Sequence, residues 1–153
     1  MFKMDKRLIK KQLYEKCISI QLSKIKNIEA TMEDAQNSAN EYGPQSDLFD
    51  SHIMQLIGNR DMYAQQLEVE MNLLETLYKM DITIQHEVAA FGSIVITDMQ
   101  KVFVSIGLGK VQLENDVYYA ISLQVPFYQA MKGLKKGDVF DFRGKKVKIL
   151  DVF

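Results

Sequence analysis

The sequence predicts an α+β protein: an N-terminal antiparallel coiled-coil hairpin followed by an antiparallel β domain with one short helix. Three observations predict it. Apolar residues recur at steps of three or four through the first half, the spacing of one helix face. Beyond about residue 90 the period changes to two, the spacing of a half-buried strand. Between the two helical patterns, from Asn27 to Asn59, there is no Lys or Arg, whereas Glu29, Glu33, Asp34, Glu41, Asp47 and Asp50 lie there. The hairpin therefore has an acidic tip.

The first helix is carried by Ile9, Leu13, Cys17, Ile20, Ile25, Ile28, Met32, Ala35 and Ala39, over about residues 5–40. At about 1.5 Å per residue it spans about 50 Å. Gly43 and Pro44 stop it, because glycine favours a helix end and proline lacks the amide donor. A second helix starts near Asp47, with Ile53, Leu56, Ile57, Tyr63, Leu67, Met71, Leu74, Leu77 and Tyr78 on its stripe. Gly58 interrupts this pattern at up to about 1 kcal/mol against alanine, a cost that leaves room for a slight bend or a local loop there. Two helices of similar length joined by a short turn pack antiparallel.

Strands follow at 92–97, 101–106, 110–113 and 117–122, rich in β-branched and aromatic residues and bounded by Gly107, Gly109 and Asn115-Asp116. Pro126 opens a short helix to Gly133, since proline suits the first helical position. A closing hairpin has strands at 139–142 and 147–150, with Arg143-Gly144 in its turn. The division is then 1–79 for the hairpin, 80–90 for a linker and 91–153 for the C-terminal domain.

Composition narrows the function classes. An apolar fraction of 47% and a charged fraction of 25% fit a globular chain. The net charge of −1 conceals a dipolar distribution, with lysines crowding both ends around the acidic middle. The single Cys17 excludes an internal disulfide and a cysteine-rich zinc site, and fits a reducing compartment. The N-terminus alternates charged and apolar residues, unlike a signal peptide, and no apolar run reaches the length of a membrane span. A soluble, cytoplasmic protein is expected. His52 and His86 have no ligand spacing, and no phosphate loop or nucleophilic triad is visible. No active site of its own, no cofactor of its own and no small-molecule substrate are expected.

At the tip, Asp47 and Asp50 are three apart at a helix start and project to one side. Two readings stand and are compatible. Asp47 is a natural N-cap and Asp50 at the third helical position favours the helix dipole. The pair also offers oxygen ligands to a hard divalent cation, though two carboxylates fall short of the six oxygens Mg²⁺ takes.

The stretch Val125-Pro-Phe-Tyr-Gln-Ala-Met-Lys-Gly-Leu-Lys-Lys-Gly-Asp-Val139 resembles the C-terminal signature of the GreA/GreB family of bacterial transcription factors, with Val125 in place of the usual Ser. Phe91-Gly-Ser-Ile-Val95 is similar to that family's entry into its first strand. Ser46-Asp47-Leu48-Phe49-Asp50-Ser51 stands where the family has a Gly-Asp-Leu-x-Glu-Asn tip. Asp replaces Glu, the Gly and Asn are missing, and the preceding loop is longer. The Asp-x-x-Asp spacing also resembles the tip of DksA-type regulators.

The resemblance implies an FKBP-like C-terminal domain behind a coiled coil. It implies binding to RNA polymerase through the secondary channel and stimulated cleavage of backtracked RNA. Asp47 and Asp50 would act in trans on Mg²⁺ shared with the polymerase, with indirect contact to nascent RNA. Pro126, Phe127, Lys132, Lys135 and Lys136 would supply the docking surface. The alternatives are a DksA-like channel regulator without cleavage activity, or a chaperone-like interaction module.

Overall fold

A computed structural model describes residues 5–41 and 51–153; for residues 35, 38–41 and 51–57 only the backbone is described. The order is α1 (Lys6–Glu41), α2 (Ser51–Tyr78), β1 (Ile94–Thr97), β2 (Lys101–Val104), β3 (Gly109–Leu113), β4 (Asp116–Ile121), α3 (Pro126–Met131), β5 (Val139–Phe142) and β6 (Lys145–Val152). This is the expected α+β arrangement. No loop forms at Gly58, and α2 continues through it. The surrounding helix-forming residues offset the glycine cost of about 1 kcal/mol.

The chain divides into two compact units, one running to Ile20 and resuming from Thr76 to Phe153, the other Gln21–Glu75. Within the second unit the helices pair antiparallel. Gln21 of α1 bonds Glu70 of α2, while Gln36, farther along α1, accepts from Arg60, earlier in α2. The α2 stripe of buried and half-buried residues is Tyr63, Leu67, Glu70, Leu74 and Leu77, alternating steps of four and three as in a coiled coil. The buried line of α1 is Lys10, Leu13, Cys17, Gln21 and Ile25. It lies one residue off the expected line at two places, since Ile9 and Ile20 are only half-buried.

In the first unit six strands form a sheet in the order β3-β4-β2-β1-β6-β5. The sheet is mixed, where a wholly antiparallel one was expected: β2 and β4 run parallel, Val102 opposite Tyr119. The cause is the β3–β4 hairpin. Strand β3 returns along the outer edge, so β4 comes back beside β2 in the same direction. One face is packed by Val95, Val102, Val104, Val147 and Ile149 against Phe127, Tyr128 and Met131 of α3. By the alternation of the pleat, Ile94, Phe103 and Ala120 turn to the other face and are also buried. No helix among the described residues is long and apolar enough to cross a membrane.

Candidate partner-binding site

Asp47 and Asp50 fall on residues 42–50, outside the described residues. The other predicted residues lie together on the segment from α3 to β5. Pro126 takes the first turn of α3 and is exposed. Phe127 is buried, its ring edge-on to Phe140 at 5.5 Å and to Phe142 at 5.0 Å. It anchors the helix to β5 rather than lining the surface; such aromatic pairs contribute about 0.5–1.5 kcal/mol beyond their burial.

Lys132, Lys135 and Lys136 are exposed on the loop that follows. Its path is set by backbone bonds. The Lys132 amide donates to Tyr128, the Leu134 amide to Met131, and the Gly133 amide to Ala89. The Ala89 amide donates back to Leu134. Gly133 and Gly137 take φ of +77° and +93°, which only glycine adopts freely. The Asp138 carboxylate accepts from the Lys135 amide at 2.9 Å, and the Asp138 amide closes the turn on the Lys135 carbonyl. The glycines of the sequence signature thus serve the turns, and the lysines point outward from them.

Among the buried polar residues, Lys10, Gln21 and Glu70 were not singled out by sequence reasoning. Lys10 is fully buried, and its Nζ donates to the Ile84 carbonyl at 3.0 Å. Burial lowers its pKa from 10.5 to about 8. The neighbouring His86 is lowered as well, first by its own burial and then by the Lys10 cation. Gln21 is fully buried and its Nε2 donates to both the carbonyl and the Oε2 of Glu70, at 2.8 and 2.7 Å. Lys24 completes the cluster at 3.7 Å from Glu70. Lys10 and Gln21 were legible in one respect: each is a step of three or four from a residue of the apolar stripe. Cys17 is buried as expected, and burial pushes its thiol up to about 12. Among the described residues no group of three or more His, Cys, Asp or Glu could hold a metal ion.

No protein-family model and no curated protein matches the chain. Among solved structures it is similar to the transcription factor Gfh1, at 17% identity and a TM-score of 0.34, over 88% of this chain and 92% of that one. It is similar to GreA factor homolog 1 (Gfh1) of Thermus thermophilus at 16% and 0.32, over 89% and 94%. It is also similar to Thermus aquaticus Gfh1 at 17% and 0.32, over 88% and 92%.

Proposed function

We infer that this protein is a cytoplasmic transcription factor that binds RNA polymerase through its secondary channel and stimulates cleavage of backtracked RNA. The observation that carries this reading is the Val125–Val139 signature. Its proline opens α3, its glycines take the left-handed turns and its lysines are exposed. The coiled coil and the α+β domain are the two parts such a factor needs, one to reach and one to dock.

The chemistry assigned to the chain is modest. Asp47 and Asp50 contribute hard carboxylate oxygens, which suit Mg²⁺ in kind. Two are too few to hold the ion alone, so it would be held mainly by the polymerase. When bound, that ion supplies charge stabilisation and an activated water for phosphodiester cleavage. Lys132, Lys135 and Lys136 hold the factor to an acidic surface, Pro126 contributes exposed apolar contact, and Phe127 keeps the helix in place. Contact with nascent RNA is through the polymerase complex.

The test is a cleavage assay on stalled, backtracked elongation complexes. Wild-type protein should accelerate Mg²⁺-dependent RNA cleavage. Asp47→Ala and Asp50→Ala should each abolish most of it while polymerase binding persists. Both variants should stay folded, because loss of a helix cap costs about 1 kcal/mol. Binding without acceleration by the wild type would replace this reading with that of a channel regulator, for which the shorter Asp50 and longer preceding loop are the sequence features. Capture of unfolded chains without polymerase subunits would favour a chaperone-like module.

A further inference from the structure

The two edges of the sheet are finished differently. At the β3 edge the turn at Glu114 and Asn115 makes Leu113 and Asp116 the last hydrogen-bonded pair of the hairpin, so the backbone of Gln112 faces outward. That outward carbonyl is taken: the Nζ of Lys16, from α1, donates to it. Covering an edge in this way is how proteins keep other strands from adding to it.

The β5 edge belongs to a two-residue hairpin of the same register and, among the described residues, has no such cover. Arg143 and Gly144 form the turn with φ of 52° and 79°, and Phe142 faces Lys145. Alternation then turns the amide and carbonyl of Phe140 inward to β6 and those of Val139 and Asp141 outward. The bonds at the strand's start agree: Ile149 donates to the Asp138 carbonyl at 2.9 Å, placing Asp138 inward. Among the described residues nothing bonds to the outward groups of Val139 or Asp141. The side chain of Val139 is itself 52% exposed. The strand reads Val-Phe-Asp-Phe, and its one charge is the exposed Asp141, which pairs across the hairpin with Lys146. Lys146 and Lys148 lie across from Asp141 and Val139 on β6, and further cations stand at the strand's two ends, Lys135 and Lys136 before it, Arg143 and Lys145 after it.

We propose that the β5 edge accepts an extended segment of a partner protein as a seventh strand, one with an apolar centre and carboxylates at both ends. The outward amide and carbonyl groups of Val139 and Asp141 give the backbone pairing. Val139 receives an apolar side chain, and the end cations select the flanking charges. At about 3.3 Å per residue the four residues of β5 cover about 13 Å, which sets the two acidic flanks about four to six residues apart. The surface shares Lys135 and Lys136 with the proposed docking face, while its backbone pairing through Val139 and Asp141 stands without the polymerase reading.

The probe is a fluorescein-labelled peptide, Glu-Glu-Val-Thr-Val-Thr-Glu-Glu, titrated into the full chain. Anisotropy reports binding, and amide hydrogen exchange by NMR reports the mode. On saturation the Val139 and Asp141 amides should exchange at least about tenfold more slowly, the effect of a new backbone hydrogen bond. A peptide N-methylated at alternate residues should bind at least about tenfold more weakly, as should wild-type peptide to Val139→Pro. Lys135→Glu combined with Lys136→Glu should weaken binding similarly and steepen nothing else in the exchange pattern. Binding without protection of Val139 and Asp141 would overturn the proposal. So would tighter binding of a single-stranded oligonucleotide of matched charge, which would make the ends a nucleic-acid surface. Protection already present without peptide, together with a concentration-dependent dimer in sedimentation, would assign the edge to a second copy and overturn it too.

Discussion

Lys10→Met should stabilise the protein at neutral pH and destabilise it in alkali. The side chain is fully buried and its pKa is lowered from 10.5 to about 8. Below pH 8 folded and unfolded chains both carry the charge, and the folded state bears its whole desolvation penalty. Between about pH 8 and 10.5 the unfolded chain keeps a proton that the folded chain has lost, so wild-type stability rises with pH there. The interval, at about 1.4 kcal/mol per pH unit, corresponds to ~3 kcal/mol. Methionine has a similar length and no charge, so the penalty disappears. It cannot donate to the Ile84 carbonyl, which returns about 1 kcal/mol of the gain. The variant should be more stable by ~2 kcal/mol at pH 7 and less stable by ~1 kcal/mol above pH 10.5, the curves crossing at about pH 9.5. Urea unfolding of both proteins from pH 6.5 to 11 measures the difference, with titrations other than that of His86, whose pKa the Lys10 cation lowers, cancelling in the subtraction. A difference that stays constant with pH would refute the reasoning, because it would mean that Lys10 titrates alike in both states.

Three further outcomes are expected. Gln21→Leu strips Glu70 of its two amide bonds and should destabilise by about 1–3 kcal/mol in urea unfolding. Adding Glu70→Leu should recover most of that, since apolar partners replace the pair; failure to recover would mean that the polar pair is required for packing. Cys17 should resist a thiol-reactive disulfide reagent in the native protein and react on denaturation, because burial holds its thiol near 12; fast native labelling would contradict its burial. Simultaneous charge reversal of Lys132, Lys135 and Lys136 should change stability by less than ~1 kcal/mol, as all three are exposed. It should weaken polymerase binding more at low salt than at high salt. Unchanged affinity would move the docking face elsewhere.

The helices were legible because their lengths are set by punctuation and periodicity. What periodicity alone does not resolve is which of two adjacent residues points inward. In α1 the apolar pattern favoured Ile9 and Ile20, yet Lys10 and Gln21 take the centre of the buried line. The Lys10 ammonium and the Gln21 amide nitrogen find partners from residues distant in sequence, Ile84 and Glu70, and that compensation is not written locally. Met71 and Tyr78 were placed on the α2 stripe and are more than half exposed, because Glu70 holds the central position beside Gln21. In the C-terminal domain each strand and the α3 start were readable from β-branched runs, glycines and Pro126. The parallel β2–β4 pairing was not, since strand order depends on where the β3–β4 hairpin folds back. Of the residues proposed for docking, the lysines are exposed, whereas the role of Phe127 depends on Phe140 and Phe142 across the fold.

The loop from Lys132 to Asp138 is fastened at both ends, to Tyr128 and Met131 on one side and to Ile149 on the other, and to Ala89 in between. A partner that meets its lysines therefore encounters a backbone already in one conformation. Ordering a free loop would cost about 1–2 kcal/mol for each residue fixed; here only the lysine side chains have freedom left to lose. Binding through this loop should accordingly show a small entropic penalty for its area, and shortening a lysine should weaken it less than releasing one of the anchoring turns. Gly133→Val is the change that would separate the two, because it leaves every charge in place while forcing a β-branched residue into a backbone held at φ +77°.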